Sequence, residues 1–407
     1  MPLRLITILA LLAALATSAS QGAQVQAEQP LPTPQMPGLE GSVTAKLRRD
    51  ADFFAARIAT DRFDWISRNS LGATLYSLAR VTGDETLYEQ AAHALQDSLV
   101  QRPRHNPDAL AYLALVTMAS HSFVEARKLA NIGLAEEPDH PWLLAVRGDA
   151  CFGHGDYDLA QADYQRVHAL KPGFSTKARL AAVAFVLNRA QESLQLFEEA
   201  AEDAADAGGE QAAWARMMVG MQHLKRHEWR LARHHFILGL RIAPDYRPLM
   251  GLLARCLEQD GQDALARPYL QTAIASRPDA RLQVRLAALE DRAGNTALAS
   301  QLRADVQKRL AAAVAQRRGT GDRRILAESL MDAGIEPQAA LALAQQDLEN
   351  RRDLEALRVL CRALRANDAA SQALPYAREM LRFGTPDAEL QAEAEAVFEA
   401  AGVRTDS

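Results

Sequence analysis

Residues 217–235 hold the side chains with the clearest capacity for metal chemistry. Four of the chain's ten histidines lie there with three methionines: Met217, Met218, Met221, His223, His227, His234 and His235. His223 and His227 are four residues apart, a spacing that can hold a transition metal on a helix, and imidazole with thioether would suit copper. The methionines, however, follow the spacing of a helix core, and His227 falls at a predicted turn. Copper handling through residues 217–235 is therefore the alternative function, and no metal site is assigned.

The sequence contains no recognisable catalytic motif. It lacks a glycine-rich phosphate loop followed by Lys-Ser/Thr, a Gly-x-Ser-x-Gly elbow and a Cys-x-x-Cys pair. His227-Glu228 begins like the helix of a zinc protease, but Leu231 stands where the second histidine would be. We therefore expect a protein that is not an enzyme and needs no cofactor.

The elements that carry these residues come from an internal repeat. Small residues recur at a step of about 34, which marks a stack of one supersecondary unit: Ala126, Ala160, Ser193, Ala232, Ala266, Ala299 and Ala339. Prolines keep the same step, at Pro138 and Pro172 and again at Pro244 and Pro278. Each unit holds two stretches with apolar residues at i, i+3, i+4 and i+7, the pattern of amphipathic helices.

The clearest unit, residues 141–172, resembles the tetratricopeptide repeat (TPR). The positions of the family's first helix, turn, second helix and closing proline are filled in order by Leu144, Gly148, Cys151, Gly155, Tyr157, Ala160, Tyr164, Val167 and Pro172. Cys151 and Val167 depart from the family consensus but remain small and apolar. Partial matches extend the resemblance over residues 60–385. It implies an all-α fold without β-sheet, a right-handed superhelical solenoid of about nine helix pairs. A helix before the first pair and an acidic C-terminal capping helix complete it.

In TPR proteins the side chains of the first helices line a concave groove that holds a partner chain. Mapping that pattern onto this sequence gives ten partner-binding candidates: Trp142, Asp149, Phe152, Phe185, Trp214, Met217, Met221, Lys225, Arg255 and Glu258. Aromatic and methionine side chains beside a few charges suit an extended or helical peptide. We therefore predict an adaptor or scaffold with a protein or peptide partner, in envelope assembly or a chaperone-like role. The alternative is that many of these side chains pack between helices.

Composition and charge narrow the class of partner. The chain has 407 residues, a net charge of −5 and a pI of about 6.1. A nucleic-acid-binding domain would be expected to be strongly basic, so no nucleic acid is predicted. One basic stretch, residues 303–324, is either a contact for an acidic partner or a lengthened helix with a solvated loop. Oligomeric state is not indicated.

The N-terminus reads as an export signal. Arg4 precedes an apolar run over residues 5–16, with small residues after it and candidate cleavage sites after Ser20 or Ala27. The run is too short to span a bilayer comfortably, and no other stretch reaches transmembrane length. We predict a signal peptide over 1–27, a Pro/Gly-rich disordered or extended linker over 28–41 and the solenoid over 42–407. The mature protein is expected in the periplasm or outside the cell.

The three cysteines lie three repeats apart, each on a first helix. Stacked helix pairs about 10 Å apart would keep Cys151, Cys256 and Cys361 far beyond disulfide reach. We expect buried, unpaired thiols that pack as small hydrophobic side chains.

Overall fold

The computed structural model describes residues 30–35, 41–205, 209–276, 278–315 and 320–403. Over these ranges the chain forms twenty α-helices and no β-strand. The predicted signal peptide, residues 1–27, lies outside the described residues. The predicted all-α fold is confirmed.

The helices form nine consecutive antiparallel pairs between a leading helix and a capping helix. In chain order they are α1 (Gly41–Thr60), α2 (Trp65–Thr82), α3 (Thr86–Gln101), α4 (Pro107–Ala119), α5 (Phe123–Glu136), α6 (Pro141–Gly153), α7 (Tyr157–Leu170), α8 (Phe174–Val186), α9 (Ala190–Ala205), α10 (Gly209–Lys225), α11 (Trp229–Ile242), α12 (Arg247–Gln259), α13 (Asp263–Ser276), α14 (Ala280–Arg292), α15 (Thr296–Ala315), α16 (Thr320–Ala333), α17 (Pro337–Leu348), α18 (Leu354–Arg365), α19 (Ala370–Leu381) and α20 (Ala388–Ala400). Repeats 1 to 9 are the pairs α2/α3 to α18/α19, and each pair packs on the next.

A left-handed residue lies at the turn inside every repeat. These nine residues all have positive φ: Gly83, His121, Gly155, Asn188, His227, Gly261, Gly294, Gly334 and Asp368. Glycine accepts this conformation without a steric cost, and asparagine, aspartate and histidine accept it better than most other residues. The conformation reverses the chain in a few residues, so the second helix folds back on the first. His227 therefore serves the turn, as its spacing predicts.

The small residues of the ladder lie where the two helices of a repeat cross. Ala126, Ala160, Ala232 and Ala266 are fully buried, and Ser193 is buried as well. Repeat 8 differs from the prediction, because the fully buried residue there is Ala340 and Ala339 is half-buried. Residues 316–319, in the connection that precedes this repeat, lie outside the described ranges.

A phenylalanine at one of these crossings is expected to destabilise the stack. Ala160→Phe or Ala266→Phe should cost about 1–3 kcal/mol of unfolding free energy, because the added ring has no space between the helices. Ala162→Phe is the matched control, since Ala162 is exposed on the same helix as Ala160. Urea unfolding measures all three. Equal midpoints for Ala160→Phe and Ala162→Phe would contradict this packing.

The second half of the solenoid packs back onto the first half. The connection between α17 and α18 reaches the turns of repeats 2 and 3, where Arg351 contacts His121 at 3.3 Å. The backbone N–H of Leu354 donates a hydrogen bond of 3.1 Å to the Tyr157 hydroxyl. One hydrophobic cluster therefore joins repeats 3 and 4 to repeats 7 to 9 and the capping helix.

The three cysteines are fully buried and free, each on a first helix as predicted. Burial raises the pKa of the Cys151 thiol to about 11 and those of Cys256 and Cys361 to about 12. Thiols held in the neutral form are poor nucleophiles and poor metal ligands. These cysteines therefore act as packing residues.

Candidate functional site

Four of the ten candidate residues either pair with the C-terminal part of the chain or lie beside groups that contact it. Lys225 pairs with Asp387 at 2.6 Å, and Arg255 pairs with Glu389. Phe185 is buried, with the Lys225 ammonium 5.6 Å from its ring centroid. Phe152 packs against the cluster that joins repeat 3 to repeats 8 and 9. This part of the first-helix surface is therefore closed by the α19–α20 connection and the start of α20.

Aromatic contacts fix the covering segment in place. The ring centroids of Phe152 and Tyr157 lie 5.2 Å apart, and Tyr157 meets Phe383 edge-on, also at 5.2 Å. Such T-shaped pairs add about 0.5–1.5 kcal/mol beyond the area they bury. Phe383 comes directly before the loop that carries Asp387, so the aromatic contact positions that carboxylate beside Lys225.

The covered surface is charged and internally neutralised. Burial alone would raise the pKa of Glu355, but Arg358 and Lys225 outweigh it and lower that pKa to about 2. Arg358 also bonds Glu328 at 2.7 Å, which ties repeat 9 to repeat 8. Because each charge here already has a partner, the covered surface offers few free groups to a ligand.

Two candidate carboxylates serve contacts between neighbouring repeats. Asp149 accepts hydrogen bonds from both ends of the Arg179 guanidinium, at 2.7 and 2.8 Å, and from the Tyr164 hydroxyl at 3.0 Å. Glu258 pairs with Arg285 at 3.4 Å and with Arg292 at 3.3 Å. Both carboxylates therefore tie their repeat to the following one.

Three candidates of repeat 5 are half-buried and pack on core clusters. Trp214 meets Phe174 edge-on, with ring centroids 5.3 Å apart, beside the cluster of repeats 4 and 5. Met217 and Met221 pack against the cluster centred on α11 and α12. Truncating these side chains would therefore change stability as well as any surface they form.

Trp142 is the candidate that remains open, and it ends a row of aromatic rings. Its side chain is 37% exposed and meets Tyr112 edge-on at 4.7 Å. Tyr112 in turn lies 6.4 Å from Tyr76, so one aromatic surface crosses the first helices of repeats 1 to 3. We call Tyr76, Tyr112 and Trp142 the aromatic row. Tyr76 and Tyr112 are not among the ten predicted residues, although both are aromatic residues on predicted first helices.

Polar groups lie beside the aromatic row. Burial raises the pKa of Tyr112, and the exposed Asp108 carboxylate raises it further. The Arg80 guanidinium lies 5.9 Å from the centre of the Tyr76 ring, as a cation–π contact. The row therefore combines an exposed indole at one end with a carboxylate near its middle ring and a guanidinium at its other end.

The histidines of repeat 5 are engaged within the protein. His223 bonds Glu228 at 2.6 Å and stacks on His235 at 5.4 Å, while His227 stacks on Trp229 at 4.9 Å. Burial lowers the pKa of His223 and lowers that of His235 to about 3. Over the described residues, no three His, Cys, Asp or Glu side chains converge on a point that could hold a metal ion.

The basic stretch at residues 303–324 continues α15 and reaches into α16. Arg303 pairs with Asp291, and Arg309 donates a hydrogen bond to Gln283 at 2.5 Å. Arg324 is buried near Asp353 at 3.7 Å. The described part therefore supports a lengthened helix with intramolecular contacts, while residues 316–319 lie outside the described ranges.

Comparison with known proteins supports the fold alone. No protein-family model matches the sequence, and no curated protein matches it. Human IFIT1, solved as a dimer with m7Gppp-AAAA, is 14% identical over 79% of this chain and 72% of its own, with a TM-score of 0.52. PilW, a widely conserved type IV pilus biogenesis factor, is 20% identical over 50% of this chain and 94% of its own, with a TM-score of 0.42.

A third similar structure is TTC0263, a thermophilic TPR protein of Thermus thermophilus. It is 18% identical over 48% of this chain and 99% of its own, with a TM-score of 0.42. The shared fold with IFIT1 and the nine helix pairs agree with the sequence, so the predicted TPR-type solenoid is confirmed. Of the helices that the structure describes, none is both long and apolar enough to cross a membrane.

Proposed function

We propose that this TPR-type solenoid is an exported, non-catalytic scaffold that binds a protein partner through the aromatic row of repeats 1 to 3. The exposed indole of Trp142, backed by Tyr112, carries the proposal. A partly exposed tryptophan supported by another ring is the kind of residue in which interface energy concentrates. The assignment of the row to the concave groove rests on the TPR resemblance, because its three rings lie on first helices, which line that groove in TPR proteins.

The partner we propose is a peptide segment with an apolar side chain followed by a basic one. The apolar side chain would pack on Trp142 and Tyr112, and the basic group would meet the exposed Asp108 carboxylate. Export rests on the N-terminal sequence, and it would place this contact in the periplasm or outside the cell. Assembly of an envelope complex and a chaperone-like role both fit such a contact.

Trp142→Ala is expected to weaken peptide binding about thirty-fold, which corresponds to roughly 2 kcal/mol for the loss of one anchor residue. Peptides selected from a phage-displayed random library against the full chain supply the probe, and fluorescence anisotropy measures their affinity. Ile132→Ala is the matched control, because Ile132 is 54% exposed on the second helix of repeat 2.

The paired results decide the proposal. Loss of affinity in Trp142→Ala, with an unchanged melting temperature and an unchanged Ile132→Ala variant, supports it. Selected peptides that bind both variants like the wild type would overturn it.

A further inference from the structure

The proline-rich segment Pro30–Gln35 packs on the second helices of repeats 5 and 6. The Arg241 guanidinium on α11 donates a hydrogen bond of 3.3 Å to the Pro30 carbonyl, and the Tyr269 hydroxyl on α13 donates one to the Pro32 carbonyl. Between these two prolines, the Leu31 side chain packs against the buried cluster of α11 to α13. Three consecutive residues are thus held by two side-chain donors and one apolar contact.

These contacts match the chemistry of a proline-rich chain. Proline has no N–H, and it restricts the residue before it to extended conformations, here Leu31 before Pro32 and Thr33 before Pro34. An extended chain of this kind forms no internal hydrogen bonds, so its carbonyls remain free to accept. Arg241 and Tyr269 supply donors to such carbonyls. The surface therefore fits a chain that presents free backbone carbonyls and is already extended before it binds.

We propose that the outer surface of α11 and α13 is a binding site for extended proline-containing segments of partner proteins, filled in the resting protein by Pro30–Gln35. The resident segment is attached by two hydrogen bonds and one leucine, so a partner segment of the same chemistry can replace it. This surface belongs to second helices and is separate from the aromatic row. The proposal stands independently of the function proposed above.

In the experiment, a substitution displaces the resident segment Pro30–Gln35 from its site, and a free peptide of the same sequence is added to occupy that site. Leu31→Asp in the full chain removes the apolar contact, and a fluorescent peptide of residues 28–36 (EQPLPTPQM) is titrated into it. The peptide should bind the Leu31→Asp chain at least about tenfold more tightly than the wild-type chain, whose site is already filled in cis. Adding Tyr269→Phe should weaken that binding about tenfold through loss of one hydrogen bond.

Controls separate the site from general effects of the substitutions. Tyr246 lies between the same two repeats and packs against the same cluster, but its hydroxyl makes no hydrogen bond to the described residues 30–35, so Tyr246→Phe should leave the affinity unchanged. A peptide with aspartate in place of its leucine should not bind. No binding to the Leu31→Asp chain, or binding that Tyr269→Phe leaves unchanged, would overturn the site. Equal affinity of the wild-type and Leu31→Asp chains would overturn its occupation by Pro30–Gln35.

Discussion

Gly155→Ala is expected to destabilise the protein by about 3 kcal/mol and to detach repeat 9 from repeat 3. Gly155 lies at the turn of repeat 3 with φ of +85°, where a side chain costs about 1–2 kcal/mol. A Cβ atom there would also overlap the carbonyl oxygen of Arg352, which belongs to the α17–α18 connection. Backbone atoms cannot turn aside as a flexible side chain can, so the overlap adds a further cost of about 1–3 kcal/mol.

Gly261→Ala separates these two costs. Gly261 occupies the same turn position in repeat 6, with φ of +70°, and a Cβ there would meet no atom within 4 Å. It should therefore lose only about 1 kcal/mol, the cost of the left-handed conformation. Urea unfolding gives both values. Hydrogen exchange should rise over residues 349–357 in Gly155→Ala alone, and equal behaviour of the two variants would contradict the contact between repeats 3 and 9.

The contacts between distant repeats limit how far the solenoid can flex. An open stack of repeats is stabilised only by neighbouring pairs and can flex along its length. Here Leu354 bonds Tyr157, and Asp387 pairs with Lys225, across six or more helices. These contacts therefore hold the helices in one arrangement before any partner binds, which lowers the entropic cost of association.

The helices and their pairing could be predicted because the repeat is local. Gly148 on α6 and Tyr164 on α7 illustrate this. A Cβ at Gly148 would lie 2.6 Å from the Tyr164 ring, so the glycine makes room for the ring where the two helices of the repeat cross. The turn residues are local in the same sense. Each needs only a left-handed conformation, and that need is visible in the sequence as Gly, Asn, Asp or His at a fixed phase.

The closure of the solenoid could not be predicted, because no local pattern encodes it. Tyr157 matches its TPR position on packing grounds, yet its hydroxyl also receives the backbone N–H of Leu354. Lys225 and Arg255 carry free charges when only their own repeats are considered. Their partners, Asp387 and Glu389, lie at the N-terminal end of the capping helix, more than a hundred residues away. Such pairs depend on how tightly the superhelix winds, which the repeat period leaves open.

Stability is expected to fall by up to about 4 kcal/mol between pH 7 and pH 5, because two histidines are held neutral in the folded chain. Burial and the Arg351 guanidinium lower the pKa of His121 to about 4, and burial with His223 lowers that of His235 to about 3. An unfolded histidine titrates near 6.5. As pH falls below that value, both histidines become protonated in the unfolded chain but stay neutral in the folded chain. This lowers the free energy of unfolding by about 2 kcal/mol for each histidine at pH 5.

The charged groups around each histidine explain why protonation is resisted. Around His121 lie groups from repeats 7 to 9: Arg281, Arg324, Arg351 and Asp353. Around His235 lie His223, His234 and Arg216. Protonated His121 could no longer accept a hydrogen bond from Arg351, so acid should also loosen the contact between repeats 2 and 9. Glu355 extends the loss of stability to lower pH. Between about pH 4.3 and its folded pKa of about 2, its carboxylate is protonated in the unfolded chain but stays charged in the folded chain.

Urea unfolding of wild type, His121→Asn and the double variant His121→Asn/His235→Gln, each between pH 7 and pH 5, tests this expectation. Asparagine tolerates the left-handed conformation of His121, whose φ is +56°, so the turn should persist. Each substitution can shift stability at pH 7, but the slope against pH depends only on the protons taken up on unfolding. The slope should fall by about one proton in the single variant and by about two in the double variant. A double variant that loses as much stability as the wild type over this range would show that neither histidine is held neutral by the fold.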